Sequence, residues 1–312
     1  ILYRFYCIKK FDNCNLRRNT WDLPLAKSML GFTGWNMFGT IAWTLKDQGA
    51  SVLLNIFGGP AINAARGVSG QVTGAIRGLV GGFQSAVNPQ LTKTYAANDT
   101  ESTCRLLCKS SKFSYFLLLL ISIPVILEIN FLLNIWLVEV PPYAALFTQI
   151  VIMEALFDTL GGPMITSLMA TGRIKWYQIV VGSILLLNIP IAYLLLKLGY
   201  PIVTPLVVSL AFMIIGNVAR LLFCKNMLGL SIRTYIRTVI LPITIVSALA
   251  FIVPYIIVSV MTEGWLRLLT SSASSVIFGV AAIYCCGFTT SERSFIINLL
   301  RNKLLRHKPS NL

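Results

Sequence analysis

Long apolar segments alternate with short basic ones along this chain of 312 residues. A run of about 18 or more predominantly apolar residues is long enough to cross a bilayer as a helix. By apolar content or length, seven segments meet this description: 30–57, 113–137, 143–171, 176–197, 202–224, 236–261 and 265–288. The composition agrees, because 56% of residues are hydrophobic and 12% are charged, whereas soluble domains carry about 25% charged residues. The pattern predicts an all-α membrane protein.

The segment 60–96 is more polar and richer in glycine than these seven, and the distribution of positive charge decides its placement. If it also spans the membrane, the basic segments all lie on one side: 1–27, 93–112, 173–175, 220–237 and 291–308. These hold 21 of the 26 Lys and Arg residues. Cytoplasmic loops of membrane proteins are enriched in Lys and Arg. We therefore expect about eight spanning helices, with the basic side and the C-terminus in the cytoplasm and the tail 291–308 forming an amphipathic helix on the membrane surface.

The polar residues of this eighth segment fall on one face of a helix. At about 100° per residue, Arg66 and Arg77 differ by only about 20°. They share an arc of about 80° with Asn63, Gly70, Thr73, Gly81, Gln84 and Asn88. Turning an arginine toward lipid costs about 2.5–3.5 kcal/mol at the membrane centre, so the arc must face other helices or water. Two interpretations follow: the arginines pair with acids inside the bundle, or they line a cationic cavity.

A row of glycines follows the same helix at intervals of four residues. It consists of Gly70, Gly74, Gly78 and Gly82. Small residues at this spacing let a second helix approach closely in a membrane, so we expect the row to be a packing surface.

Acidic residues also lie inside the apolar segments. Lys46 and Asp47 are near the middle of segment 30–57, and Glu154 and Asp158 share a face of segment 143–171 at a spacing of four residues. Counted from the segment ends, Asp158 lies at the depth of Arg77, and Asp47 lies between the depths of Arg66 and Arg77. These residues either form internal salt bridges or act as ion-coupling sites.

Two further expectations concern neighbouring positions. The sequence Gly161-Gly162-Pro163, which follows Asp158, predicts a kink or break of the helix. Glu128 and Glu139 are expected in a solvated rim of the bundle.

No catalytic motif is visible in the sequence. It contains no G-x-S-x-G, no H-E-x-x-H and no Walker A lysine, and its one histidine is His307. We therefore expect no enzymatic activity, no metal and no cofactor. The basic residues are confined to short segments between apolar runs, so nucleic-acid binding is not expected either.

Several stretches resemble the bacterial polysaccharide biosynthesis flippases, the O-antigen and capsule translocases of the multidrug/oligosaccharidyl-lipid/polysaccharide superfamily. The most specific stretches are GWNMFGTIAWTLKDQGASVLLNIFGGPAINAARGVSGQV and FQSAVNPQLTKTYAANDTE. The stretches FSYFLLLLISIPVILEINFLLNIWL and GPMITSLMATGRIKWYQIVVGSILLLNIPIAYLLLKLGYP also fit. The resemblance covers nearly the whole chain.

The resemblance implies a MATE-like fold of two six-helix lobes around a central cavity, with two extra C-terminal helices. This chain then corresponds to the second lobe and the extra pair, with the first lobe missing, as in the C-terminal part of a longer protein. The implied division is a basic cytoplasmic segment 1–27 after a truncated helix, a six-helix bundle 28–225, two further helices 226–288 and a basic tail 289–312.

Members of that family are thought to move undecaprenyl-diphosphate-linked oligosaccharides across the bacterial inner membrane. The resemblance implies such a lipid-linked glycan as substrate, membrane lipids around it, H⁺ or Na⁺ as a coupling ion, and other polysaccharide assembly proteins as partners. Arg66 and Arg77 would bind the diphosphate, with hydrogen bonds from Asn63, Thr73, Gln84 and Asn88. Asp47, Glu154 and Asp158 would carry the ion or pair internally with groups such as Lys46.

Three other readings remain open at this point. A cation-coupled drug antiporter of the same superfamily should have an acid-rich, aromatic cavity, whereas this face is rich in arginine. A membrane glycan polymerase or ligase should have a large outer loop, whereas every predicted outer loop is short. The third reading is a non-functional fragment, because one lobe does not enclose a cavity that needs two.

Overall fold

The computed structural model describes Tyr6, Lys10, residues 22–289 and residues 292–294. In these ranges the regular secondary structure is entirely helical, without a β-strand, which confirms the predicted all-α class. Most of the predicted basic segment 1–27 and of the predicted surface helix in the tail lies outside the described residues.

The first two helices form a hairpin. The helical stretch Leu23–Ala96 is interrupted at Gly59, which has φ 76° and ψ −176°; we call its halves α1 (23–58) and α2 (60–96). Asp22 caps the start of α1 by accepting a hydrogen bond from the backbone N–H of Leu25 at 3.1 Å. Glycine adopts the positive φ without the penalty that a side chain would bring, and Pro60 suits the first turn of a helix.

The remaining helices follow with short connections. They are α3 (Thr100–Leu127), α4 (Ile129–Trp136), α5 (Ala144–Ala170), α6 (Lys175–Lys197), α7 (Thr204–Leu228), α8 (Ile232–Val260) and α9 (Trp265–Gly287). Both α8 and α9 contain a π-helical turn, at Ile236–Ile240 and Ile283–Gly287 respectively.

Six helices in the described part of the chain are long and apolar enough to cross a membrane: α3, α5, α6, α7, α8 and α9. This supports a multi-pass membrane protein. The helices α1 and α2 do not meet the same measure of hydropathy, because α1 carries Lys46 and Asp47, and α2 carries two arginines and many glycines. That these two helices also span stays a prediction.

Helix α5 lies at the centre of the bundle. It packs against the α1–α2 hairpin, α3 and α7, while α6 packs against the hairpin and α7. The largest hydrophobic cluster includes Leu107, Ile152 and Met164 from α3 and α5, and Tyr177 from α6. Helices α8 and α9 pack against each other and contact the rest of the bundle mainly through α3.

The expectation of a solvated rim at Glu128 is wrong. Glu128 is fully buried, and its carboxylate accepts hydrogen bonds from Nη2 of Arg267 on α9 at 2.8 Å and from Nε at 3.1 Å. The hydroxyl of Ser271 donates a further bond at 3.0 Å. A buried carboxylate needs such partners, and the arginine that supplies them lies far away in the sequence.

The glycine row on α2 contacts no helix in the described part of the chain. An ideal Cβ at Gly70, Gly74, Gly78 or Gly82 would meet no atom within 4 Å. The buried side of α2 is a different one, which includes Arg66, Thr73 and Val80. The inward direction predicted for the polar arc is therefore confirmed at Arg66 and Thr73, while the packing surface predicted for the glycines has no partner among these residues.

Candidate functional site

Three ion pairs connect the hairpin to itself and to α5. The ammonium of Lys46 pairs with the carboxylate of Glu154, and both side chains are buried. The hydroxyl of Ser209 on α7 donates to the same carboxylate at 3.1 Å. Nη2 of Arg66 lies 2.6 Å from Oδ1 of Asp47 across the hairpin. The pair of Arg66 and Asp47 shows that α1 and α2 run side by side, since the two residues lie on opposite sides of Gly59 in the sequence.

The third ion pair lines a cavity. Nη1 of Arg77 lies 3.7 Å from Oδ2 of Asp158 on α5, and both side chains keep some exposure. The guanidinium of Arg77 also lies over the indole of Trp43, 5.9 Å from the ring centroid, while Lys46 lies 5.0 Å from the same ring. Such cation–π contacts help to hold a cation away from bulk water. The depth match predicted for Arg77 and Asp158 is confirmed.

Arg77 and Asp158 line a cavity of about 370 Å³ between α1, α2, α5, α6 and α7. The remaining polar lining includes the side chains of Asn36, Gln84, Gln178 and Arg220. Helix α6 begins at Lys175, and Gln178 lies in its first turn. Helix α7 ends at Leu228, and Arg220 lies about two turns before that end. The cavity therefore lies in the half of the bundle nearer the predicted cytoplasmic side.

Arg220 is the feature of this cavity that the sequence did not indicate. Its side chain is buried, and Nη1 donates to Oδ1 of Asn217 at 2.8 Å. Asn217 in turn donates to the carbonyl of Phe157 at 2.7 Å, which ties it to α5. No carboxylate of the described residues forms an ion pair with Arg220. A buried arginine without an ion pair is rare, because removing a charge from water without a partner is costly.

Glycines make room for the polar side chains of the cavity. The sequence Gly161-Gly162-Pro163 was expected to kink or break the helix, and the break does not occur, because α5 continues through these residues. Instead, a Cβ at Gly162 would lie 2.6 Å from Oε1 of Gln84. A Cβ at Gly161 would lie 2.8 Å from Oδ1 of Asn217 and 3.3 Å from Nη1 of Arg220. These glycines let polar groups approach the backbone of α5 closely, and Gln84 accordingly donates to the carbonyl of Thr159 at 3.2 Å.

The cavity carries an excess of positive charge. Its lining includes two guanidinium groups, from Arg77 and Arg220, and one carboxylate, from Asp158. The Nε atoms of both arginines are buried and have no hydrogen-bond partner within the described part of the chain. Because the electrostatic interaction between charges is strong at low dielectric, this arrangement favours an anion that can accept hydrogen bonds. No group of three or more His, Cys, Asp or Glu side chains that could hold a metal occurs among the residues described.

The residues predicted for the site separate into two groups. Arg77, Gln84 and Asp158 line the cavity. The others are not part of its lining: Arg66, Asn63, Thr73, Asn88, Lys46, Asp47 and Glu154. Thr73 donates to the carbonyl of Ser69 at 2.7 Å, and the Oδ1 atom of Asn88 accepts a bond from Thr166 on α5 at 3.1 Å.

Arg220, Gln178 and Asn36 were not predicted. The sequence analysis counted Arg220 in the basic segment 220–237, which overlaps the predicted helix 202–224. In the structure α7 continues to Leu228, so Arg220 lies inside the helix and not in the loop that follows it. One signal was present: Asn217 and Arg220 lie three residues apart and hence on one face of an otherwise apolar helix.

Comparisons with known proteins add no assignment: no family model matches the chain, and neither a curated protein nor a solved structure matches it.

Proposed function

We propose that the protein is a membrane transporter that translocates a lipid-linked oligosaccharide, carried on a polyprenyl diphosphate, across the bacterial inner membrane. In this proposal α1 and α2 span the membrane together with the six apolar helices, the C-terminus is cytoplasmic, and the helices correspond to one lobe and the extra pair of a MATE-like flippase. The proposal rests on the sequence resemblance and on the chemistry of the cavity.

The observation that carries the proposal is a cavity lined by two arginines and a single aspartate. Arg77 lies 3.7 Å from Asp158, and Arg220 has no ion pair among the described residues. Guanidinium groups bind phosphate oxygens through paired, charge-assisted hydrogen bonds. A diphosphate supplies the negative charge and the acceptors that this cavity lacks.

The amides around the arginines suit the sugar next to the diphosphate. Gln84 and Gln178 place side-chain amides at the cavity wall, and amides both donate to and accept from hydroxyl groups. A volume of about 370 Å³ lies at the small end of ligand sites. It fits the diphosphate and the first sugar rather than a whole oligosaccharide, and its position near the predicted cytoplasmic side suits loading from that leaflet.

The acids give less support to a cation antiporter. Asp47, Glu154 and Asp158 each pair with Arg or Lys, so a cationic drug would have to displace a basic side chain from its partner. Coupling to H⁺ or Na⁺ through these acids remains part of the proposal, as does contact with polysaccharide assembly proteins.

The test is binding of a polyprenyl diphosphate-linked sugar to the purified protein. We expect Arg220→Gln to weaken binding about ten- to hundredfold, since a hydrogen bond to a charged group contributes about 1.5–3 kcal/mol. The matched control is Arg173→Gln, which removes an exposed arginine that lines neither of the two cavities. Unchanged affinity in Arg220→Gln, with a wild-type elution profile, would show that the cavity does not bind the diphosphate.

Activity is tested by complementation of a strain that lacks its polysaccharide flippase. Export should fall in both Arg77→Gln and Arg220→Gln at equal membrane abundance. Wild-type export in both variants would contradict the assignment of these residues.

A further inference from the structure

A second cavity, separate from the first, lies at the predicted cytoplasmic end of the bundle. Its volume is about 820 Å³. The walls are the first turns of α3, the turn between α7 and α8, the start of α8, and the side chains of Thr289 and Glu292. It shares no lining residue with the cavity around Arg77, so its chemistry is independent of the function proposed above.

The turn between α7 and α8, which forms one wall of the cavity, is shaped by local sequence features. Gly229 ends α7 with φ 69°, a conformation that glycine accommodates at the C-terminal end of a helix. The thiol of Cys104 on α3 donates to the carbonyl of Leu228 at 3.5 Å. Ser231 then caps α8, accepting the N–H of Thr234 at 3.4 Å. The start of a 29-residue helix is thereby directed at the cavity, with its positive dipole end.

Three cations of α3 line this cavity, and two of them have acidic partners. Lys112 is buried and lies 2.7 Å from the carboxylate of Glu292. Arg105 pairs with Glu101 one turn earlier. Lys109 is partly buried and has no ion pair or hydrogen bond with the described residues. The lining therefore carries one positive charge more than its two carboxylates offset.

Glu292 accepts hydrogen bonds at Oε2 from Lys112 and from the backbone N–H of Thr289. Burial by itself raises the pKa of this carboxyl group, but the bond from Lys112 and the bond from the backbone N–H of Thr289 lower the pKa by more, so the net shift is downward. The carboxylate is therefore charged at neutral pH and stays with Lys112. It does not form an ion pair with Lys109, which lines the cavity together with Thr234 and Thr238.

The depth of the cavity matches the lipid headgroups. Helix α3 has 28 residues and is about 42 Å long, which exceeds the hydrocarbon core of about 30 Å. All charged residues of α3 lie at or before Lys112, so the first turns are the part of the helix that extends into the headgroup region. Arg233 and Arg237 near the start of α8 are exposed on the same side, and basic side chains at this level attract anionic lipids.

We propose that this second cavity binds a phosphate ester, with Lys109 as its principal cationic ligand and the hydroxyl of Thr234 as an additional hydrogen-bonding group. The source of the phosphate is either the headgroup of an anionic phospholipid in the cytoplasmic leaflet or a soluble phosphate ester. Basic pockets between helices on this side of a membrane are suited to phospholipid headgroups.

The experiment uses the delipidated, detergent-purified protein and its Lys109→Gln, Lys109→Arg and Arg173→Gln variants. Arg173 is exposed, lies on the same predicted side and does not line the cavity, so its substitution removes equal charge elsewhere. Phosphatidylglycerol, phosphatidylcholine or glycerol 3-phosphate is added, and bound ligand is counted by native mass spectrometry. We expect phosphatidylglycerol to be retained about tenfold less by Lys109→Gln than by the wild type, Lys109→Arg and Arg173→Gln.

The two sources give different results. Retention of phosphatidylglycerol without glycerol 3-phosphate supports the lipid, and retention of glycerol 3-phosphate at equal concentration supports the soluble ester. In both cases, less ligand must be retained by Lys109→Gln than by the wild type. Equal retention by Lys109→Gln and the wild type, or no preference of the wild type for phosphatidylglycerol or glycerol 3-phosphate over phosphatidylcholine, overturns the proposal. Either outcome leaves the function proposed for the first cavity untouched.

Discussion

The guanidinium of Arg77 lies 3.7 Å from the carboxylate of Asp158, at a distance where the two charges attract but form no hydrogen bond. The other ion pairs that join α1, α2 and α5 are shorter, with Arg66 and Asp47 at 2.6 Å. The looser pair is the one that faces a cavity. We interpret Asp158 as a counterion that balances the cavity when it is empty and that an anionic ligand partly replaces.

Removing this counterion should strengthen anion binding. In Asp158→Asn the cavity retains both arginines but loses its carboxylate, so we expect a several-fold higher affinity for a diphosphate ligand together with lower thermal stability of the ligand-free protein. Titration of the purified protein with a polyprenyl diphosphate measures the first effect, and thermal unfolding measures the second.

The matched control for this change is Asp47→Asn, which removes an acid paired with Arg66 outside the cavity. It should leave the affinity unchanged. Weaker binding in Asp158→Asn than in the wild type would contradict the role of Asp158 as a displaceable counterion.

Adding one methyl group at position 162 tests whether glycine is needed there for the close approach of Gln84. In Gly162→Ala the new Cβ would lie 2.6 Å from Oε1 of Gln84, so the amide must leave its bonds to Thr159 and Ser114. We expect destabilisation of about 1–3 kcal/mol, typical of overpacking. Measured by unfolding in detergent, the effect should become smaller in the double variant Gly162→Ala/Gln84→Ala.

Gly78→Ala provides the comparison for Gly162. Gly78 has open space around its Cβ position, and alanine is favoured over glycine inside a helix by about 0.5–1 kcal/mol. We therefore expect no loss of stability. Equal losses at both positions would show that close approach to Gln84 is not the reason for glycine at 162.

Helical periodicity and depth counting predicted three residues of the cavity lining, Arg77, Gln84 and Asp158. The antiparallel placement of α1 and α2, the inward direction of Arg66 and the match of Arg77 with Asp158 all follow from spacing along single helices, because helix geometry fixes depth and phase. The fold class follows from the apolar runs alone.

The errors arise where a residue depends on a partner that is distant in the sequence. Gly162 was expected to take part in a kink or break of α5, but the helix does not break, and the glycine accommodates Gln84 from another helix. The sequence does not distinguish these two uses of a glycine. Glu128 was expected in water because Arg267 lies on α9. Arg220 was counted in the basic segment 220–237 for its charge, although it lies inside α7, which ends at Leu228.

The buried pair of Glu128 and Arg267 should dominate the attachment of α9 to α3. In Glu128→Gln, Arg267 keeps its buried position but loses its principal counterion, which typically costs about 3–5 kcal/mol. Glu263, by contrast, is exposed and lies 3.5 Å from the same arginine. Glu263→Gln should change the free energy of unfolding by about 0–1 kcal/mol. Chemical unfolding of both variants compares the two values, and a similar small effect of both would contradict the assigned role of Glu128.

Whether the α1–α2 hairpin crosses the membrane is decided by labelling three positions. Phe57 lies next to the turn at Gly59, Asn98 lies in the turn between α2 and α3, and Val138 lies between α4 and α5; all three are exposed. Each is replaced by cysteine in a variant whose seven native cysteines are serine, and intact cells are treated with an impermeant thiol reagent. If eight helices span, the reagent labels positions 57 and 138 from outside, whereas position 98 reacts only after the cells are opened. Reaction at 138 but not at 57 in intact cells would show that the hairpin does not reach the outer surface, and the polar arc of α2 would then have to be explained without a spanning helix.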